Sequence, residues 1–114
     1  MRDTLLPPAS FAAKAAEVAG LLKAIGNPHR LMVLCRLTER GTASVGELVE
    51  TAGLSQSALS QHLARMREEG LLTFERDGQT LWYRIADPRV VTLLATLYDL
   101  YCAPGLPAPE GKTQ

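Results

Sequence analysis

Two kinds of residue in this chain can do chemistry. Cys35 and Cys102 are the only thiols in 114 residues. Such a pair serves as packed core residues, as part of a metal site, or as a reversible redox couple. The chain has no Cys-x-x-Cys, so thiol-disulfide oxidoreductase chemistry of the usual kind is not expected. The two histidines, His29 and His62, fall on different segments and are expected to lie far apart. A zinc site needs Cys, His or carboxylate groups that converge, so neither a metal site nor a cofactor is assigned. There is also no Gly-rich phosphate loop and no Ser/His/Asp arrangement, so no enzymatic activity is expected.

The second kind is a run of short polar side chains: Ser55, Gln56, Ser57, Ser60, Gln61 and His62, followed by Arg65 and Arg67. A glutamine pairs bidentately with adenine, and serine reaches base edges or phosphate. The arginines can clamp the phosphate backbone. The competing reading is the solvated face of an ordinary packed helix.

The surrounding elements decide between these readings. Residues 1–9 hold two prolines and no periodic pattern, and are expected to form a flexible arm. Ser10 caps an Ala-rich helix that stops at Gly26. Asn27-Pro28 opens a second helix with Leu31, Leu34 and Leu37 on its apolar stripe. Ser44 and Glu47 form a capping box for a short helix that ends at Ala52-Gly53. After a single residue, Leu54, Ser55 caps a fourth helix whose apolar face is Leu59, Leu63 and Met66. Two helices joined by so tight a turn are a helix-turn-helix, with the polar run on the second, recognition helix.

Beyond Gly70 the pattern switches to period two. Asp77-Gly78 is expected as the centre of a type I′ hairpin turn, with Arg76 and Arg84 on the two strands, able to meet phosphate or the minor groove. Asp87-Pro88 begins a last helix with Val90, Leu93, Leu94, Leu97, Leu100 and Tyr101 on a wide apolar face. Residues 103–114 contain three prolines and two glycines and are expected to be disordered. The fold class is mainly α with a β-hairpin wing: a winged helix-turn-helix, α-α-α-α-β-β-α, in one domain over residues 10–102.

Composition is compatible with this. The chain is 46% hydrophobic and 21% charged, with a net charge of zero. Zero net charge does not favour DNA, but phosphate contacts are local. No apolar run approaches the roughly 20 residues of a membrane span, and residues 1–10 lack the apolar core of a signal peptide. A cytoplasmic location is expected, with no membrane partner and the thiols kept reduced.

The stretches LLKAIGNPHRLMVLCRL, SVGEL, LSQSALSQHLARMREEGLL and RDGQTLWYRIADPRV resemble the ArsR family of bacterial repressors from about Leu21 to Cys102. The resemblance implies a homodimer joined through its first and last helices. It would hold a palindromic double-stranded operator until an inducer releases it. The Ala-rich first helix and broad apolar last helix agree, since together they carry more apolar surface than one small core uses. Arsenic- and cadmium-type members carry a Cys-x-Cys where this chain has Ala43-Ser44-Val45-Gly46-Glu47-Leu48, without a thiol. Zinc-type members use Asp/His pairs on the last helix, where this chain has Asp87 and Asp99 but no histidine. One cysteine on the second helix and one at the end of the last resembles the sulfide- and persulfide-responsive branch, BigR-, SqrR- and HlyU-like. That branch implies a redox sensor in which persulfide or related sulfane sulfur links Cys35 to Cys102. Metal-responsive regulation of the zinc type and a redox-inert regulator remain the alternatives. No activating cation for either thiol is evident: Cys102 ends a helix, where the dipole disfavours a thiolate, and Glu39 stands one turn beyond Cys35.

Overall fold

The structure, a computed structural model, describes residues 8–102; the segments 1–7 and 103–114, expected as arm and tail, lie outside the described residues. The element order is α1 (Pro8–Ile25), α2 (Pro28–Arg40), β1 (Ala43–Ser44), α3 (Val45–Ala52), α4 (Gln56–Glu68), β2 (Leu72–Asp77), β3 (Thr80–Ile85) and α5 (Pro88–Tyr101). The winged helix-turn-helix expected from the sequence is the observed fold.

Local chemistry sets the helix starts. Asn27 Oδ1 accepts the amides of His29 and Arg30 at 2.9 and 3.1 Å, with Pro28 at the first helical position. Ser44 and Glu47 form the reciprocal capping box, Ser55 Oγ accepts the Ala58 amide, and Asp87 caps α5. Each such cap is worth about 1 kcal/mol. The core gathers Val33, Leu34 and Leu37 of α2, Leu48 of α3, Leu59, Leu63 and Met66 of α4, Tyr83 of β3, and Val90 and Leu94 of α5. Burying each large aliphatic side chain contributes roughly 1.5–3 kcal/mol relative to leaving it exposed.

Three details differ from the sequence expectations. Helix α1 begins at Pro8, two residues before the expected cap at Ser10. A two-residue strand, β1, adds to the hairpin by pairing antiparallel with β3, so the sheet order is β1-β3-β2. The hairpin turn is centred on Gly78-Gln79 rather than Asp77-Gly78. Asp77 pairs with Thr80, and among the described residues no residue other than glycine has positive φ. Positive φ at the first central residue alone is the requirement of a type II′ turn, not of type I′. Gly78, at φ 66°, supplies it, and Asp77 keeps ordinary strand geometry.

Helix α1 packs against its own chain only near its end. Ala24 and Ile25 are buried and Leu21 is half-buried, whereas residues 9–20 are exposed throughout. Its other tether is Arg89 of α5, whose Nη1 lies 3.2 Å from Glu17 Oε2.

Candidate nucleic-acid interface and thiol pair

Helix α4 divides cleanly into two faces. Leu59, Leu63 and Met66 are buried, while Gln56, Ser57, Ser60, Gln61 and Arg65 are exposed. The exposed positions repeat at intervals of about four residues, so they form one continuous face. Ser55 stands at the helix N-terminus, where unpaired amides favour a phosphate. The face is thus presented by a helix fixed from behind by the core. Its side chains bear amides, hydroxyls and a guanidinium, the groups that read base edges and hold phosphate.

The other expected contact residues are held differently. His62 is half-buried on the flank of α4, and its Nδ1 accepts Arg30 Nε–H at 3.0 Å. Burial, and next the Arg30 guanidinium, push the His62 imidazole below its ordinary value, so the neutral ring is favoured. Arg67 lies over the Phe74 ring, 4.9 Å from its centroid, and so braces α4 against the hairpin. Arg84 Nη1 is 3.3 Å from Glu75 Oε2 across the two strands. Arg76 is exposed near the tip of the wing. His29 and His62 do not lie far apart, as their sequence positions had implied: their ring centroids are 6.3 Å from each other. Helix α2 packs its first turn beside α4, which chain order conceals.

The two thiols lie on α2 and at the end of α5, helices that pack against each other. Both are exposed and free in the isolated chain. Cys35 lines a cleft of about 320 Å³ together with Thr38, Glu39, Leu94, Tyr98 and Asp99. Partial burial, then the nearby Cys102 thiol, then Glu39 raise the Cys35 thiol above its ordinary value. Cys102 is therefore near enough to act on the Cys35 thiol across the α2/α5 contact. The resting state also holds the Cys35 thiol protonated, which restrains its reactivity.

The signature of "Bacterial regulatory protein, arsR family" matches residues 27–73, from the cap of α2 into β2. The chain is 48% identical over 94 residues to the HTH-type transcriptional regulator YgaV of Escherichia coli, covering 82% of this chain and 95% of that protein. It is 41% identical to the biofilm growth-associated repressor of Xylella fastidiosa over 79% of this chain and 78% of the relative. The structure of reduced HlyU from Vibrio cholerae superposes with a TM-score of 0.77 at 40% identity, over 82% of this chain and 98% of the other. The chain belongs to the ArsR family.

Against that family, the described residues of this ArsR-family protein contain no group of three His, Cys, Asp or Glu side chains placed to hold a metal ion. Asp87 is engaged: it caps α5 and receives Arg89 Nη2 at 2.8 Å, a contact that holds its carboxyl below the usual range. No helix of the described residues is long and apolar enough to cross a membrane. A residue that sequence reasoning overlooked is Arg30. Its side chain is only 14% exposed and joins three helices, a role no local pattern announces.

The apolar surface left uncovered is concentrated on two helices. Phe11, Val18 and Leu22 of α1 are 52%, 36% and 53% exposed, and Tyr98, Leu100 and Tyr101 of α5 are 55%, 63% and 70% exposed. Phe11, Ala15, Val18 and Leu22 fall at the spacing of a single helical stripe.

Proposed function

We propose that this ArsR-family protein is a dithiol-based transcriptional repressor acting in the cytoplasm. It binds a palindromic DNA operator as a homodimer and leaves it when persulfide or a related oxidant links Cys35 to Cys102. The DNA-binding and dimerisation unit is residues 10–102. Gln56, Ser57, Ser60 and Gln61 read bases; Ser55, Arg65, Arg67, Arg76 and Arg84 hold the backbone, and His62 stands at the inner edge of that surface. Dimerisation covers the apolar stripes of α1 and α5. A helix with so little packing of its own is marginal in water, which favours a partner on its exposed face.

The observation that carries the sensor reading is the placement of the only two thiols of the sequence on the packed helices α2 and α5, with Cys102 near enough to act on the Cys35 thiol. The chemistry is thiol exchange. A Cys35 thiolate attacks the outer sulfur of a persulfide, forming a protein persulfide and expelling the carrier thiolate. A Cys102 thiolate then attacks the sulfur bonded to Cys35, forming the link and expelling hydrosulfide. Where both cysteines are persulfidated first, their condensation loses hydrogen sulfide and leaves a trisulfide. A bridge with an extra sulfur can also span Cα atoms farther apart than the roughly 7 Å limit of an ordinary disulfide.

Such a link ties α5 to α2, and α5 presents the exposed side chains of Val91, Tyr98, Leu100 and Tyr101. A change in the dimer geometry of only about 2.7 kcal/mol between bound and released forms shifts operator affinity about 100-fold. The test is operator binding by reduced protein, then with glutathione persulfide, hydrogen peroxide or zinc. Persulfide alone is expected to weaken binding about 100-fold, with a cross-linked peptide mass in which a disulfide, or a trisulfide carrying one added sulfur, joins Cys35 and Cys102. Release by zinc with both thiols unmodified would replace the sensor reading with a metal-responsive one. Indifference to all three reagents would leave a redox-inert regulator.

A further inference from the structure

Beyond its packing against the core, the recognition helix is tied to α1 and α2 through one guanidinium. Arg30 Nε donates to His62 Nδ1 of α4 at 3.0 Å, and Arg30 Nη1 donates to the Ala24 carbonyl of α1 at 2.9 Å. The same Nη1 is 3.8 Å from Glu69 Oε1 at the end of α4. Beside it, His29 Nδ1 lies 3.0 Å from the Ala52 carbonyl at the end of α3. One residue in the first turn of α2 thus connects the last turn of α1 to the recognition helix at two points.

We propose that Arg30 is a positioning residue for the recognition helix and that its contact with His62 makes operator binding acid-labile. A guanidinium only donates, so His62 Nδ1 must carry a lone pair and its proton must sit on Nε2. Protonating Nδ1 removes the acceptor and sets an imidazolium against a guanidinium. The groups facing His62 reinforce this: Arg30 and His29 from α2 and Arg65 from α4 are basic or neutral. The one carboxylate in the network, Glu69, is beside Arg30. The positioned helix therefore binds protons less readily than a displaced one, and affinity falls as pH drops through the His62 titration. One linked proton limits the loss to about tenfold per pH unit. A histidine that contacts phosphate directly has the opposite sign, because an added positive charge strengthens DNA binding.

This inference rests on the DNA-binding reading of α4, so the test has one readout with operator and one without. Affinity of the full chain is measured near about pH 7.5 and about pH 5.5, for wild type, His62→Asn and Arg30→Lys. Asparagine can accept from Arg30 but does not titrate. Helix content by circular dichroism accompanies each measurement. Wild type is expected to weaken about tenfold on acidification, His62→Asn by no more than about twofold, and Arg30→Lys to bind weakly at both pH values. In parallel, hydrogen exchange of the α4 amides in free protein, corrected for intrinsic rates, is expected to quicken on acidification in wild type and not in His62→Asn. Tighter wild-type binding at the lower pH would overturn the proposal, as would an acid loss in His62→Asn equal to that of wild type. Acid loosening of α4 in a protein that binds no DNA would support the positioning role while removing the DNA reading.

Discussion

Replacing Cys35 or Cys102 with serine is expected to leave operator affinity within about twofold of wild type and to abolish the roughly 100-fold release by persulfide. Serine is close to cysteine in shape, and both sites are exposed in the isolated chain, where substitutions usually change stability by no more than about 0.5 kcal/mol. Neither residue lies on α4 or the wing, so the reading face is untouched. Each single variant can still acquire a persulfide on its remaining thiol, but no bridge can form between α2 and α5. Binding titrations with and without glutathione persulfide, with mass spectrometry of both variants, separate modification from linkage. A variant that is persulfidated and still leaves the operator would show that the bridge is not what drives release.

Replacing Gln61 with glutamate is expected to lower operator affinity about 100-fold while leaving the fold intact. A lost bidentate base contact costs about 1–3 kcal/mol, and a carboxylate facing the phosphates adds repulsion; about 2.7 kcal/mol in total is a factor of 100. Gln61 is fully on the exposed face of α4. Glutamine and glutamate have nearly equal helix propensity, so the melting temperature is a clean control. Unchanged affinity would mean that this face of α4 is solvated surface and that DNA is read elsewhere.

The parts of the fold legible in the sequence are those set by neighbours in the chain. The caps at Asn27, Ser44, Ser55 and Asp87 are local hydrogen-bond arrangements, and each stands where its residue types place it. The helix periodicities likewise select Leu34, Leu37, Leu59, Leu63, Met66, Val90 and Leu94, all of which are buried. What the sequence concealed depends on distant pairing. Strand β1 is two residues of otherwise featureless chain, created by β3 lying alongside it. The turn shifted by one residue because the register of Phe74 with Tyr83, rather than the Asp-Gly dipeptide, fixes which residues are central. The closeness of His29 and His62, and the hub at Arg30 that accompanies it, arise only when α2 crosses α4. The polar face of the candidate DNA site was readable from spacing alone. The way its helix is anchored was not.

The most direct measurement is in vitro selection of DNA by the reduced full-length protein, followed by footprinting and a measure of how many chains bind the selected site. Two inverted half-sites with centres about 10 base pairs apart, occupied by two chains, are expected from a two-fold dimer that sets its α4 helices one DNA turn apart. Failure to enrich any sequence, or an asymmetric site held by a single chain, would contradict the assignment of this protein as a dimeric operator-binding repressor.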